Sequence, residues 1–186
     1  MDYYPGVKQV GWPMEYLKDV LAPYADIPKK SKIIFPHRIA PEKQLEIFKD
    51  LAKEMPEYEW FIAQEHNLTK DEYHRHLAES KLTFSANLQE TLGISMYEDA
   101  LVGTCPVIPS RLSYTEMWDQ DIFYPSEWTK DFNEFLRHKD QLIGHIKFMM
   151  GDNVDTVAWA KKDAVKVGEK FFNGTKLYNA IKETQK

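Results

Sequence analysis

Two glutamates stand eight residues apart in SANLQETLGISMYEDALVGTCPV (Ser85 to Val107): Glu90 and Glu98, with Gly93 between them. Glu90 falls where a strand pattern runs into a helix pattern, and Glu98 falls inside the helix. A helix amino terminus exposes unpaired N–H groups and about half a positive charge, so it draws anions, phosphates above all. Thr91, Leu92 and Gly93 would supply those N–H groups, and Gly93 has no side chain to keep a ligand off the backbone. Glu98 lies five residues past Gly93, roughly 7–8 Å along the axis. That reach suits accepting hydrogen bonds from hydroxyls attached to a bound diphosphate. Glu90 would sit at the mouth, across the phosphates. A diphosphate between two hydroxyl-bearing rings is the shape of a nucleotide sugar. The same two acids also read as a helix cap and a solvated side chain.

The surrounding elements must hold these groups in place. KIIFP (32–36), YEWFIAQ (58–64), KLTFSA (81–86) and CPVIP (105–109) read as short strands rich in β-branched and aromatic residues. Between them lie helical patterns. One begins at Pro41, with Leu45, Phe48, Ala52 and Met55 on one face; one covers 69–80 and opens with Thr69 and Glu72 in capping-box spacing; one covers 91–103. Strands alternating with helices imply βαβ crossovers and a mostly parallel sheet. Ligands of such sheets bind beyond the carboxyl ends of the strands, where the loops after the first and third strands fall. The last third is helical: about 126–150, carrying Trp128, Phe132, Phe135, Ile143, Ile146 and Met150, then about 153–170, then from about 175. The opening segment, with Pro5, Gly6, Gly11, Pro13, Pro23 and Pro28, reads as connector more than core, apart from a short helix in MEYLKDVL (14–21).

At 186 residues the chain fits one domain with a real core. A net charge of −5 provides no global field for nucleic acid or anionic lipid. The expectation is a protein with no membrane span and no general nucleic-acid binding. Cys105 is the lone cysteine, which rules out an intrachain disulfide and a cysteine-rich zinc site and points to a reducing, cytoplasmic location. It reads as an inert core residue. The opening MDYYPGVKQV lacks the layout of a signal peptide. His66, His74 and His76 read as solvated side chains rather than as a metal set.

ETLGISMYEDALVGTCPV (90–107) resembles the E-x7-E region of retaining glycosyltransferases with the GT-B fold, and FPHRIAPEKQ (35–44) is similar to the same family's strand-one motif of arginine followed by lysine. GWPMEYL (11–17) resembles, more loosely, the segment linking the two GT-B domains. The resemblance covers roughly residues 31–118. It implies that Arg38 and Lys43 clamp the diphosphate of a donor, that Glu90 faces the donor sugar and that Glu98 binds the ribose. The amides of Thr91, Leu92 and Gly93 would lie on the phosphate. It implies catalytic roles for Glu90, Arg38 and Lys43. Three positions depart from the pattern: His37 and Gln44 stand where the family has glycine, and Asp99 where it has alanine.

The fold class implied is α/β, a Rossmann-like parallel sheet flanked by helices, equal to the carboxyl-terminal half of a GT-B enzyme, with extra carboxyl-terminal helices. The expected organisation is a connector over 1–30, a nucleotide-sugar-binding domain over 31–125 and packing helices over 126–186. The expected activity is donor binding for retaining glycosyl transfer, with the acceptor domain absent from this sequence: it resides on a partner chain or a second copy, or the sequence is a fragment, or a donor-binding domain has acquired separate work. No tightly bound cofactor and no metal are expected; the nucleotide-diphosphate sugar is a substrate. The alternative is a non-catalytic nucleotide or nucleotide-sugar module, or a subunit of a larger transferase. A GT-B-like epimerase is a third, weaker class. Ser113, Tyr114 and Glu116 read equally as ligand contacts or as an ordinary helix start.

Overall fold

The computed structural model describes residues 10–184, so Pro5 and Gly6 lie outside it. Strands β1 (Lys30–Phe35), β2 (Glu59–Ile62), β3 (Ser80–Phe84), β4 (Cys105–Pro109) and β5 (Phe123–Tyr124) form one sheet in the order β2-β1-β3-β4-β5. Every adjacent pair is parallel. Helix α1 (Tyr16–Leu21) precedes the sheet, and α2 (Leu45–Glu54), α3 (Lys70–Glu79) and α4 (Ile94–Leu101) connect the first four strands. A short α5 (Tyr114–Met117) follows β4, and α6 (Phe132–Met150), α7 (Thr156–Phe171) and α8 (Thr175–Thr184) complete the described chain. This is the Rossmann-like α/β sheet with added helices that the alternating pattern predicts.

Alternation along the strands divides the core. Ile33, Phe35, Leu82 and Phe84 join a large cluster with Phe48 and Leu51 of α2 and Phe135, Leu142 and Ile146 of α6. Ile34 points the other way, into a smaller cluster with Leu21, Leu77 and Val102. Helix α7 lies against α4 and β4. The order of the strands reverses between β1 and β3, and this is where an open parallel sheet forms a crevice beyond its carboxyl ends.

Several elements differ from their predicted form. The stretch from Pro41 does not open a helix directly: Pro41–Lys43 make one 3-10 turn, Gln44 adopts the left-handed region at φ 51°, and α2 starts at Leu45. Helix α4 starts at Ile94, so Thr91 and Leu92 belong to the turn before it and Gly93 is its N-cap. The long carboxyl-terminal helix is broken at its start: Ser126–Thr129 form a 3-10 turn, and Asp131 caps α6 by accepting a hydrogen bond from Glu134 N–H at 2.9 Å. β5 has only two residues in a turn-rich stretch and carries no readable periodicity. The opening segment is tied down rather than loose. Leu17 and Leu21 are buried, Trp12 N–H donates to Phe171 O at 2.7 Å, and Gly174 N–H donates to Glu15 Oε1 at 2.5 Å.

The histidines are not all solvated. His66 is exposed, but His74 is buried with its ring edge-on to Tyr24. His76 stacks on Phe61 at 4.0 Å, with Nδ1 2.6 Å from Nζ of the buried Lys32. An imidazole has enough apolar ring surface to pack this way. Cys105 is buried in the core as expected.

Candidate functional site

Two loops meet at the crevice, residues 36–44 after β1 and 85–93 after β3, and Leu88 N–H donates to Glu42 O at 2.8 Å to join them. The turn at Pro41–Lys43 aims Lys43 inward, leaving it only 8% exposed. Its Nζ donates to Gln89 O at 2.9 Å and lies 3.4 Å from Glu90 Oε2. Gln44 fastens that turn: Nε2 donates to Ala86 O at 2.6 Å and to Thr129 O at 2.7 Å. Gln44 therefore tolerates a glycine-favouring conformation while cross-linking three segments.

Glu90 is folded back into its own turn. Oε1 accepts from Thr91 N–H at 3.0 Å and Gly93 N–H at 3.1 Å, and Oε2 accepts from Asn87 Nδ2 at 3.2 Å as well as facing Lys43. Four donors thus converge on one carboxylate. Burial pushes this acid up, but the Gly93 amide, Lys43 and the Thr91 amide more than offset burial and hold it below the ordinary value. Of the three amides named from the sequence, those of Thr91 and Gly93 donate to the Glu90 side chain, and they do so from the turn and N-cap before α4 rather than from within the helix.

The remaining expected residues are placed unevenly. Gly93 has φ 59°, and a Cβ built there would lie 3.3 Å from Tyr114 Cε1. Its need for glycine is conformational, and a side chain there would also press on the Tyr114 ring. Leu92 is half-buried against the core. Arg38 is not brought to Lys43: its side chain is 72% exposed and its guanidinium pairs with Glu42. Glu98 is half-buried on the side of α4 near Lys70 and Tyr73, with its carboxyl pushed up by burial against the opposing pull of Lys70. Asp99 is fully buried, and burial raises its acid well above the ordinary value.

His37 is 5% exposed, edge-on to Phe35 at 5.1 Å, and its Nε2 has no partner. Burial, then Lys43, push its imidazole down to about 3, so the ring is neutral beside Lys43 and Glu90. Ser113 and Glu116 line a cavity beside the turn together with Trp12, Thr91 and Leu92. Tyr114 instead is buried, its hydroxyl accepting from Asn87 Nδ2 at 3.0 Å.

Two residues escaped the sequence reading. Asn87 presents Nδ2 to Glu90, and its Oδ1 is buried without a partner. Arg111, directly after β4, donates to Asn87 O at 2.8 Å, Ala86 O at 2.7 Å and Ser126 O at 2.9 Å, and to Thr129 O from both terminal nitrogens at 3.2 Å. Their signal was position alone: a polar residue just past the carboxyl end of a strand. Among the described residues no three His, Cys, Asp or Glu side chains gather as a metal site would need. No helix among them is long and apolar enough to cross a membrane.

No protein-family model and no curated protein sequence matches the chain. Solved structures do. A sucrose-phosphate synthase from Thermosynechococcus elongatus superposes with TM-score 0.61 at 14% identity, covering 95% of this chain and 49% of that one. TarM matches with TM-score 0.61 at 13% identity, over 95% of this chain and 37% of its own. HepE from Anabaena, solved in complex with UDP, matches with TM-score 0.59 at 13% identity, over 98% of this chain and 56% of its own. A second HepE structure holds UDP-glucose. The chain thus spans about half or less of the length of these neighbours. Parallel sheet, strand reversal and these superpositions together establish that the chain has the fold of one half of a GT-B glycosyltransferase.

Proposed function

We propose that this chain is the donor-binding, carboxyl-terminal half of a retaining GT-B glycosyltransferase, and that the crevice between β1 and β3 receives the diphosphate of a nucleotide sugar. The observation that carries the reading is the convergence of Lys43 Nζ, the Thr91 and Gly93 amides and Asn87 Nδ2 on a single anionic position. Such a set of donors would suit a phosphoryl group. The fold agrees, and HepE, a neighbour in fold, has been solved with UDP and with UDP-glucose.

In this reading the bond from the anomeric carbon to the diphosphate oxygen breaks with its electron pair going to the diphosphate. Lys43 and the amides around Gly93 take up that growing charge. Arg38 joins them by leaving Glu42, a swing open to an exposed side chain. Glu90 orients the donor sugar, and Glu98 holds the ribose. These groups supply the positive charge without calling on a metal. The acceptor, and the domain that holds it, come from outside the described residues, in a partner chain or in a further part of the protein. A second reading is a module that holds a nucleotide sugar without turnover; the donors around Glu90 would serve binding in either case.

A thermal-shift panel of nucleoside diphosphates and their sugars tests the site. A bound member at 100 times its Kd should stabilise the fold by about 2.7 kcal/mol, which is roughly 5–10 °C for a chain of this size. Lys43→Ala should abolish that shift. A panel in which nothing moves the melting point would remove the nucleotide site from consideration.

A further inference from the structure

The carboxylate of Glu90 occupies the place where the proposed ligand's phosphate would sit. Its Oε1 holds both amides of the turn, and its Oε2 is shared between Asn87 Nδ2 and Lys43. Beside it, His37 Nε2 and Asn87 Oδ1 are buried with no partner. A buried polar atom left unpaired costs free energy, so these two atoms have hydrogen-bonding capacity to offer a ligand that reaches this position.

We propose that Glu90 is the resident anion of this site and thereby determines its selectivity: it keeps out single-charge anions and yields to a diphosphate that also carries hydroxyls. The inference rests on the diphosphate reading above. Being tethered, the Glu90 carboxylate meets the amides at an effective concentration on the order of millimolar or higher. A free carboxylate or other monoanion would replace it like for like, lose translational freedom and gain nothing. A diphosphate brings two linked phosphoryl groups and more than one charge, so it can hold the amides with one group and Lys43 with the other. The displaced Glu90 is an acceptor only. Next to bare pyrophosphate it faces repulsion, whereas hydroxyls on an attached ring give it new donors. His37 Nε2 and Asn87 Oδ1, unpaired beside Glu90, would be further partners for such hydroxyls. Glu90 therefore has one partner set in the free chain and another when the ligand is bound, which favours a glycosylated diphosphate over its fragments.

Calorimetric titration of inorganic pyrophosphate into the wild-type chain, Glu90→Ala, Glu90→Gln and Lys43→Ala tests this. Removing the competitor should tighten pyrophosphate binding about tenfold or more in Glu90→Ala, including the case in which wild type shows no binding and the variant does. Adding Lys43→Ala should cancel the gain. If Glu90→Ala does not melt cooperatively, Glu90→Gln is read instead, with a smaller tightening expected because the amide still fills the turn without the charge. Pyrophosphate binding that is equal or weaker in the Glu90 variants overturns the resident-anion role and leaves the diphosphate site standing. No binding to wild type or to any variant overturns both.

Discussion

Individual residues decide whether the crevice can hold an anion, and Gln44 shows how. It sits at φ 51° where the resembling family has glycine, and it offsets that conformation with two hydrogen bonds to carbonyls on separate segments. An L-residue in the left-handed region is disfavoured by roughly 1–2 kcal/mol. Gln44→Gly should therefore unfold at higher urea than Gln44→Ala, by about 1 kcal/mol, the reverse of their order inside a helix. Equal stability would mean that the left-handed turn is not retained in solution.

Titration reports on the same site. His37 is neutral and buried, with its folded value pushed from 6.5 down to about 3, so the native state binds fewer protons than the unfolded chain across that interval. Stability is lost as pH falls from 6.5 toward 3. Glu90 has a folded value below its unfolded 4.5, so its contribution is present above 4.5 and lost as pH drops through the folded value. Both slopes have the same sign but different windows. Urea melts at a series of pH values should show His37→Gln flattening the curve between 6.5 and 4.5, and Glu90→Gln flattening it only below 4.5. A His37→Gln curve parallel to wild type in the upper window would mean that the imidazole is solvated. Glu90 was legible from its place where a strand pattern runs into a helix pattern, and Lys43 only through the family resemblance. That the carboxylate folds onto its own amides was not, because a side-chain rotamer depends on neighbours far along the chain.

Among the elements, the connections hold more surprises than the strands and helices do. The capping box of α3 was readable from two residues, and it is present: Thr69 N–H donates to Glu72 Oε2 at 2.8 Å and Glu72 N–H to Thr69 Oγ1 at 3.3 Å. Strands β1 to β4 were readable because a buried parallel strand is a short apolar run bounded by turn residues. The break before α6 was not. There Arg111 holds the turn in place: its guanidinium gathers carbonyls from the loop after β3 and from the turn at Ser126–Thr129. Such long-range bonds leave no periodic trace. Arg111 fixes the main chain on either side of Asn87, and through it the floor of the site. A lysine keeps the charge but cannot spread five donors in a plane. Arg111→Lys should cost about 2–4 kcal/mol by urea denaturation and weaken ligand binding as well, since Asn87 loses its anchor. Wild-type stability for this variant would show that the fork is dispensable.

For the molecule as a whole, the question is what one half of a GT-B fold can do. The three loops bordering the ligand edge each expose a large apolar side chain, Ile39 after β1, Leu88 after β3 and Leu112 after β4, between 39% and 54% accessible. Leu112 does so from the left-handed region at φ 58°. The opening segment is clamped to the end of α7 and the residues just after it through Trp12 and Glu15, and Trp12 lines the cavity beside Thr91 and Leu92. In the proposed reading this chain holds the diphosphate, and positioning an acceptor hydroxyl against the anomeric carbon falls to groups outside the described residues. Orientation of two reactants supplies a large part of a transfer enzyme's rate. The chain alone should therefore bind a nucleotide sugar while releasing its diphosphate at the background rate. Adding a chain that carries a complementary GT-B half should raise release by about 100-fold or more, and Lys43→Ala should return it to background. Chromatographic quantification of released nucleoside diphosphate, with and without the second chain, measures this directly. Turnover by the isolated chain that Lys43→Ala abolishes would show that the acceptor is positioned by this half itself. Tight binding with no complementing chain among those tried, and no release, would fit the non-catalytic module, because the fold and its anion position serve binding whether or not chemistry follows.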